Sequence, residues 1–388
     1  MNYIYLTILC IFLMILFNKR LAGSDIWRAT ITPLASIIGS GFLIAAPILN
    51  SLNSSNAVLM MLILCLLSFS IGMVIRWNIM EVEGRSESFL SEKLSDIFLS
   101  LAYILSVTYY LYLLSSFILK ATGLHTLNLE KSIASIFICS IGYYGHQYGF
   151  KSLEKIEQIS VNIKLAIIAT FLCALGYFNF HNTIPDVEGT QMDFHSFRIL
   201  LGLVIMVQGF ETSRYLGNSY SKEVRVKSMR NAQIVSTIIY LLFIILFSGV
   251  FILHPISGKV EETSVIDSAK YVFQLGPLLL LIAALASQLS AALADVSGCG
   301  GLVDEFTRGK ISEKRSYLLL ALLSVILIWS FNIFEIISLA SKGFALYYLL
   351  QCLSSIRYFF YRSKIKFLFS SFMAIACILI VILGISFE

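Results

Sequence analysis

The chain has 388 residues, of which 58% are hydrophobic and 13% are charged, whereas a soluble domain has about 45–50% apolar and about 25% charged residues. The mean hydropathy of +0.84 extends along the whole length, without a polar stretch long enough to form a domain. These values argue strongly against a soluble enzyme and indicate a polytopic helical membrane protein. At roughly 30 residues per span and connection, the length allows about 12 helices.

Long apolar runs bounded by charged or turn-forming segments predict the transmembrane helices. In chain order, the runs lie at about 2–17, 29–49, 56–75, 97–119, 132–148, 159–177, 197–213, 231–253, 275–299, 316–331, 333–358 and 367–387. No cation precedes the first run, and Lys19 and Arg20 follow it. This order favours a membrane anchor over a cleaved signal peptide.

The positive charges are distributed unevenly between the connecting loops. When alternate loops are assigned to opposite sides, 21 of the 28 lysine and arginine residues lie on the side that holds Lys19, Arg20 and Arg28. Cytoplasmic loops of membrane proteins carry an excess of lysine and arginine. We therefore predict a multi-pass integral protein of the bacterial cytoplasmic (inner) membrane, with these loops in the cytoplasm.

The second apolar run contains a predicted helix break. The break has the sequence Ile38-Gly39-Ser40-Gly41-Phe42. Pro33 precedes it and Pro47 follows it, and both glycine and proline weaken a helix. Within lipid, such a break is tolerated only where the freed backbone groups face protein, a ligand or a water-filled cavity. Counted from Arg28, the break lies about 16–20 Å along the helix, near the middle of a core about 30 Å thick.

A second break is predicted five spans later. It has the sequence Val207-Gln208-Gly209-Phe210-Glu211-Thr212-Ser213. Counted from Arg198, it also lies about 16–20 Å deep. A single glycine motif of this kind is equally consistent with close helix packing. Two breaks at corresponding places in two halves instead indicate an inverted-repeat secondary transporter with its substrate site near the bilayer centre.

Three elements of the sequence resemble the amino acid, polyamine and organocation (APC) transporter superfamily. The segment 38–42 resembles the break in that family's first core helix, and Gly209-Phe210-Glu211 with the basic loop after it resembles the sixth. The segment from Gly149 to Lys164 is similar to the loop that enters the fifth core helix and to that helix's first turns. One departure is the segment 297–301 (Ser-Gly-Cys-Gly-Gly), where the eighth core helix is expected to end and the family often has Ser-Arg.

The resemblance implies an all-α integral membrane fold of about 12 transmembrane helices, leucine-transporter-like, with a 5+5 inverted repeat and broken first and sixth core helices. Residues 29–178 and 197–361 would form the two five-helix repeats. Residues 1–28 would add an N-terminal transmembrane helix with a cytoplasmic loop, and residues 362–388 a final transmembrane helix.

The two breaks together form the predicted substrate site. Amides exposed at the glycine break would bind the carboxylate of an amino acid, and the break near Glu211 would accept its amino group. The predicted substrate-binding residues are Ile38, Gly39, Ser40, Gly41, Gln208, Gly209, Phe210 and Glu211. For Glu211, a contact with the substrate and capping of the amides of a half-helix are equally compatible with the sequence.

Ionisable residues inside the predicted spans require an explanation, because each costs at least about 2.5–3.5 kcal/mol in the hydrocarbon. Besides Glu211, they are Lys164, Asp295 and Lys342. Lys164 and Asp295 lie at similar predicted depths and are possible partners. In some sodium-independent members of the superfamily, a lysine at this position stands in for a sodium ion. The resemblance therefore implies proton coupling through Lys164, tuned by Asp295, and a static buried ion pair remains the alternative. We expect Lys342 to be an outer-vestibule or packing charge.

Other chemistry finds little support in the sequence. The histidines lack ligand spacing and no phosphate-binding Gly-x-x-x-x-Gly-Lys-Ser/Thr loop occurs, so we expect no metal site, no cofactor and no ATP-driven transport. An enzyme such as a membrane acyltransferase would need paired histidine and carboxylate groups at one depth. For Tyr109, Tyr110 and Tyr112, aromatic packing is favoured over a place on the substrate path.

We therefore predict a secondary active transporter, not an enzyme, that moves amino acids by alternating access with proton coupling. Its partners would be an amino acid or related amine, protons and the lipid bilayer, with no nucleic acid, and its oligomeric state is left open. One alternative is an amino acid or polyamine exchanger. Another is a transport-dead sensor or scaffold of the same fold, suggested by the glycine-rich departure and the extra N-terminal helix.

Overall fold

The computed structural model describes residues 2–39, 41–84, 89–123, 126–185, 192–217, 219–256, 260 and 264–385. Helix accounts for 87% of the structure, and no strand occurs among these residues. In chain order, the α-helices are α1 (Asn2–Leu16), α2 (Lys19–Ala22), α3 (Asp25–Ile37), α4 (Gly41–Asn53), α5 (Ala57–Trp77), α6 (Phe89–Thr122), α7 (Leu127–Tyr148), α8 (Phe150–His181), α9 (Phe194–Gly202), α10 (Lys222–Leu253), α11 (Ser264–Ser268), α12 (Gly276–Phe306), α13 (Glu313–Ser330), α14 (Ile333–Phe359) and α15 (Lys364–Leu383).

Eight helical segments of the described chain are long and apolar enough to cross a membrane. They are Asn2–Leu21, Gly41–Val82, Lys93–Leu119, Ser152–His181, Lys222–Leu253, Gly276–Phe306, Glu335–Phe359 and Lys364–Leu383. Gly41–Val82 runs through α4 and α5, and α7 and α13 coincide with two further predicted spans. The all-helical, multi-pass architecture is thus confirmed. The count of twelve spans and the 5+5 repeat stay predictions.

The short helix α3 lies at the centre of the bundle, where it packs against α8, α10 and α12. Every residue from Ala29 to Ile37 is buried. Around this centre, α12 packs against α6, α8 and α13, and α14 packs against α6 and α15. The backbone groups freed where α3 ends therefore meet protein and not lipid, which is the condition for a broken helix at membrane depth.

The predicted N-terminal run forms helix α1, which packs along α8. The rings of Tyr5 and Phe273 lie 4.7 Å apart, and the amide of Asn2 donates to the side-chain oxygen of Gln274 over 3.0 Å. The opposite face is exposed, with 86% of Tyr3 and 67% of Met14 accessible, as expected of a helix that contacts lipid. Its role as an extra span beside a ten-helix core stays a prediction.

Helices α7 and α13 approach each other closely at Gly142. A Cβ atom added there would lie 2.6 Å from the Cβ of Ala321 and 3.0 Å from the carbonyl oxygen of Tyr317. The absence of a side chain therefore sets the distance between the two helices, as in small-residue packing of membrane helices.

We expect Gly142→Ala to lower the thermal unfolding midpoint of the detergent-purified protein, because overpacking of this kind costs about 1–3 kcal/mol. Gly176→Ala in α8 is the matched control. Beyond its own helix backbone, no atom of the described residues lies within 4 Å of an added Cβ at Gly176, and alanine favours a helix over glycine. Equal midpoints for the two variants would contradict the close packing of α7 and α13.

Candidate functional site

The first predicted break is present between α3 and α4. Helix α3 ends at Ile37, the backbone of Ile38 leaves the helical region (φ −84°, ψ 55°), and α4 begins at Gly41. Ser40, one of the predicted substrate-binding residues, lies outside the described residues. Because the helix stops, the carbonyl groups of Ala35, Ile37 and Ile38 have no backbone donor one turn further on.

The ammonium group of Lys164 binds this carboxyl end of α3. Its Nζ atom donates to the carbonyl oxygens of Ala35 (2.9 Å) and Ile38 (2.6 Å) and to Oγ of Ser290 (2.8 Å). These contacts use all three donors of an ammonium group. Lys164 is fully buried, and its positive charge lies at the negative end of the helix dipole of α3.

The second predicted break is present at Gly209. Helix α9 continues as a 3₁₀ segment, Leu203–Val207, and another 3₁₀ segment, Phe210–Tyr215, follows the break. Gly209 has a φ of +113°, a region that favours glycine because it lacks Cβ. The buried Glu211 accepts hydrogen bonds at Oε2 from the Gly209 amide (2.9 Å) and the Tyr348 hydroxyl (2.8 Å). The capping contact considered from the sequence is therefore formed.

The two breaks pack directly against each other through their glycines. A Cβ atom on Gly41 would lie 2.7 Å from the Cα of Met206, and one on Gly209 would lie 2.4 Å from Oγ of Ser36. The hydroxyl of Tyr240 lies 2.9 Å from the carbonyl oxygen of Ile37 and 2.6 Å from that of Met206. The single hydroxyl proton of Tyr240 is thus shared between one carbonyl group at each break, which links the two breaks through one side chain.

The possible Lys164–Asp295 ion pair predicted from equal depth is wrong. The carboxylate of Asp295 instead accepts hydrogen bonds from Ser36 of α3 (2.8 Å) and from Ser106 of α6. Lys164 reaches α12 at Ser290, five residues before Asp295. Five residues rotate a helix by roughly 140°, so the two side chains leave α12 in different directions. Lys164 and Asp295 lie at similar depths, but the Asp295 side chain does not lie on the face of α12 that Lys164 contacts.

Tyr110 connects the predicted substrate residues of the two breaks. Its hydroxyl accepts a hydrogen bond from Nε2 of Gln208 (3.1 Å), and its ring lies against Gly39, where an added Cβ would be 3.1 Å from Cε1. Phe210 stacks on Tyr348 with ring centres 5.3 Å apart. The described members of the predicted site thus lie close together. Tyr110, for which the sequence favoured aromatic packing, also contacts them.

Several buried polar atoms around the breaks have no hydrogen-bond partner among the described residues. They are the Tyr103 hydroxyl, Oε1 of Gln208, Oε1 of Glu211, Oγ of Ser287, the side-chain amide of Gln288 and Oγ of Ser297. Buried polar groups are normally paired, and each unpaired one costs about 1–3 kcal/mol. The centre of the bundle can therefore offer hydrogen bonds to a polar ligand.

Two cavities lead from the predicted cytoplasmic side towards the breaks. The larger, about 670 Å³, is lined by residues that include Glu83, Asp96, Arg214, Tyr215, Lys222, Arg225, Gly301 and Asp304. The smaller, about 70 Å³, reaches Thr32, Thr212, Ser297 and Gly298. The glycine-rich segment lies inside α12, which continues to Phe306. The expectation that the helix ends there is wrong. Gly298 and Gly301 instead line these cavities, and Gly300 packs against Tyr317.

Comparison with known proteins identifies the family. A family model described as APC superfamily transporter matches residues 19–384. The chain belongs to the APC superfamily of transporters. A protein of Aquifex aeolicus (strain VF5), named "Uncharacterized protein", is 38% identical over 398 residues, which cover 100% of this chain and 98% of that protein.

The fold of this APC superfamily member also resembles a solved transporter structure. That structure is the substrate-bound outward-open state of a Na⁺-coupled sialic acid symporter, with a TM-score of 0.57 and 10% sequence identity. The match covers 99% of this chain and 96% of the symporter. At this identity, the similarity supports the fold alone.

Five polar residues that join the breaks of this transporter to the surrounding helices were not recognised from the sequence. They are Ser36, Ser106, Tyr240, Ser290 and Tyr348. Serine and tyrosine are tolerated throughout apolar helices, so their type alone gives no signal. Only Ser36 could have been recognised from the sequence, because it lies three residues before Gly39, the first glycine of a predicted break. Of the four ionisable residues inside the predicted spans, Lys342 differs from the other three because it is exposed, on α14.

We expect Gly209→Ala to lower the thermal unfolding midpoint and the yield of monodisperse protein. The added methyl group would meet Ser36, and alanine at a left-handed φ adds about 1–2 kcal/mol of strain. Gly217→Ala is the control, because its added Cβ would lie 3.5 Å from the nearest atom, on Arg225. Unchanged stability of Gly209→Ala would contradict the close contact between the two breaks.

Proposed function

We propose that the protein is a secondary active transporter that moves amino acids together with protons across the bacterial cytoplasmic membrane. The observation that carries the proposal is the position of Lys164. A fully buried ammonium uses its three donors on Ala35, Ile38 and Ser290, and its hydrogen bonds include no carboxylate. Lys164 thus holds α3, the half-helix that ends at the candidate site, and its positive charge depends on a single proton.

The proton would control how strongly α3 is held. The charged ammonium gives three charge-assisted hydrogen bonds and complements the helix dipole, and such bonds contribute about 1.5–3 kcal/mol each. The neutral amine has one donor fewer and no charge. Low pH therefore favours α3 bound to α8, and rising pH favours its release. Alternating access would couple this release to the substrate site at the end of α3.

The two breaks offer complementary groups to a zwitterionic substrate. The first amides of α4 have no acceptor within their own helix, and this end of the helix is the positive end of its dipole, which suits a carboxylate. On the other side, Oε1 of Glu211 and Oε1 of Gln208 are buried acceptors without a partner among the described residues, which suit an ammonium group. The cavities along α12 would form part of a release path towards the cytoplasm.

The sialic acid symporter is Na⁺-coupled. In the mechanism proposed here, Lys164 would instead stand in for a sodium ion, as the resemblance to the superfamily implies. Lys164 provides the positive charge itself, so that sodium is not needed at this point. Uptake should therefore respond to a proton gradient and not to a sodium gradient.

We expect purified protein in liposomes to accumulate radiolabelled L-amino acids when the outside is made acidic. Lys164→Ala should reduce this accumulation at least about tenfold, because the hydrogen bonds and the transferable proton are both lost. Lys342→Ala is the matched control, since Lys342 is an exposed lysine of α14, and it should retain accumulation.

Three results would decide against the proposal in different ways. Absence of amino acid flux with and without a pH gradient would reject the transporter function, and ligand binding without flux would favour a sensor. Unchanged accumulation and pH dependence in Lys164→Ala would reject proton coupling through Lys164 while leaving transport intact.

A further inference from the structure

We propose that Glu157 is a second proton-carrying residue, through which the proton of Lys164 passes to the cytoplasm. This inference rests on the proposed proton coupling. Its basis is the position of Glu157 on α8, between two polar contacts that this helix makes with α3, at Glu154 and at Lys164.

The three residues lie on one face of α8. Glu154, Glu157 and Lys164 occupy positions i, i+3 and i+10, which share a helix face. Glu154 Oε1 lies 3.7 Å from Nη2 of Arg28, at the predicted cytoplasmic end of α3. Lys164 binds the other end of α3 at its break. Glu157 lies between these two contacts, beside Thr32.

Glu157 is unlike the carboxylates at the rim of the bundle. It is fully buried, and neither carboxylate oxygen has a hydrogen-bond partner of standard geometry among the described residues. Glu154, Glu81 and Glu83 each lie within ion-pair distance of a lysine or arginine. An ionised carboxylate without partners is costly to bury. A proton on Glu157 removes this cost while α3 remains packed against α8.

The charged and titratable groups that act on Glu157 come from several elements. They are Glu154 and Lys164 of α8, Asp295 of α12, and Tyr220 in the loop before α10, with Arg28 of α3 held by Glu154. Lys164 is the only fully buried cation of this set. A proton that leaves Lys164 therefore meets Glu157 as the buried acceptor on its own helix face.

The transfer is balanced in atoms and charge. While α3 is packed against α8, Glu157 is a carboxylic acid and Lys164 an ammonium. When α3 moves away, Glu157 gives its proton to water on the cytoplasmic side, and the resulting carboxylate gains the proton that Lys164 loses, which leaves Lys164 as an amine. Seven residues separate the two groups, about 10 Å along the helix, so the proton must cross by a chain of water molecules that enters when α3 moves away from α8.

The test is the number of protons that enter liposomes with each transported amino acid, measured with an internal pH dye and a radiolabelled L-amino acid. Glu157→Gln keeps the size of the side chain but cannot carry a proton. We expect it to retain amino acid exchange between equal solutions on both sides, and to lower proton entry per substrate at least about tenfold. Glu154→Gln is the control on the same helix face and should keep both activities.

The outcomes separate this inference from the proposed function. If the unchanged protein moves amino acids without protons, the proposed coupling itself fails. If the unchanged protein couples and Glu157→Gln couples equally well, only the role of Glu157 is overturned. If Glu157→Gln does not give folded protein, Glu157→Asp replaces it. A shift of its uptake-against-pH profile supports the relay, and an unchanged profile overturns it.

Discussion

The bond between the Lys164 ammonium and the carboxyl end of α3 is the interaction on which the rest of the structure depends. A helix that stops near the middle of a membrane leaves carbonyl groups that lipid cannot satisfy. Here a lysine from α8 and a tyrosine from α10 satisfy them. Because the ammonium charge complements the helix dipole, the stability of the broken helix depends on a group that can lose its charge. Membership of a transporter superfamily gives this arrangement a functional meaning.

Two glycines connect this local interaction to the rest of the site, because they let the two breaks pack closely. Gly41 and Gly209 allow the two breaks to touch, with backbone against backbone or against Ser36. Tyr240 then serves carbonyl groups of both breaks, and Asp295 ties Ser36 to α6. Displacement of α3 must therefore disturb the second break, α6 and α10 together. This shared geometry offers a physical route from protonation on α8 to groups that would hold a substrate.

The sequence predicted the positions of the breaks because glycine and proline act locally and leave a clear pattern. It also singled out Lys164, Glu211 and Asp295, because an ionisable residue is conspicuous within an apolar run. It could not predict which side chains meet. The pairing of Lys164 with Asp295 failed because depth fixes only one of the two helix coordinates, and the direction around α12 depends on packing. Glu157 lies outside the predicted spans and therefore did not stand out, since its burial arises from the approach of α3.

The most direct test of the central claim is the distance between α3 and α8 as a function of pH. Spin labels at Ser24 and Lys155, two exposed positions, would be introduced into a chain whose seven cysteines are replaced. Pulsed electron resonance would then give the distance distribution in lipid nanodiscs. The account predicts a short distance at low pH, a growing population of longer distances as the pH rises, and a loss of this pH dependence in Lys164→Met. The same distribution at every pH, or an unchanged response in Lys164→Met, would contradict it.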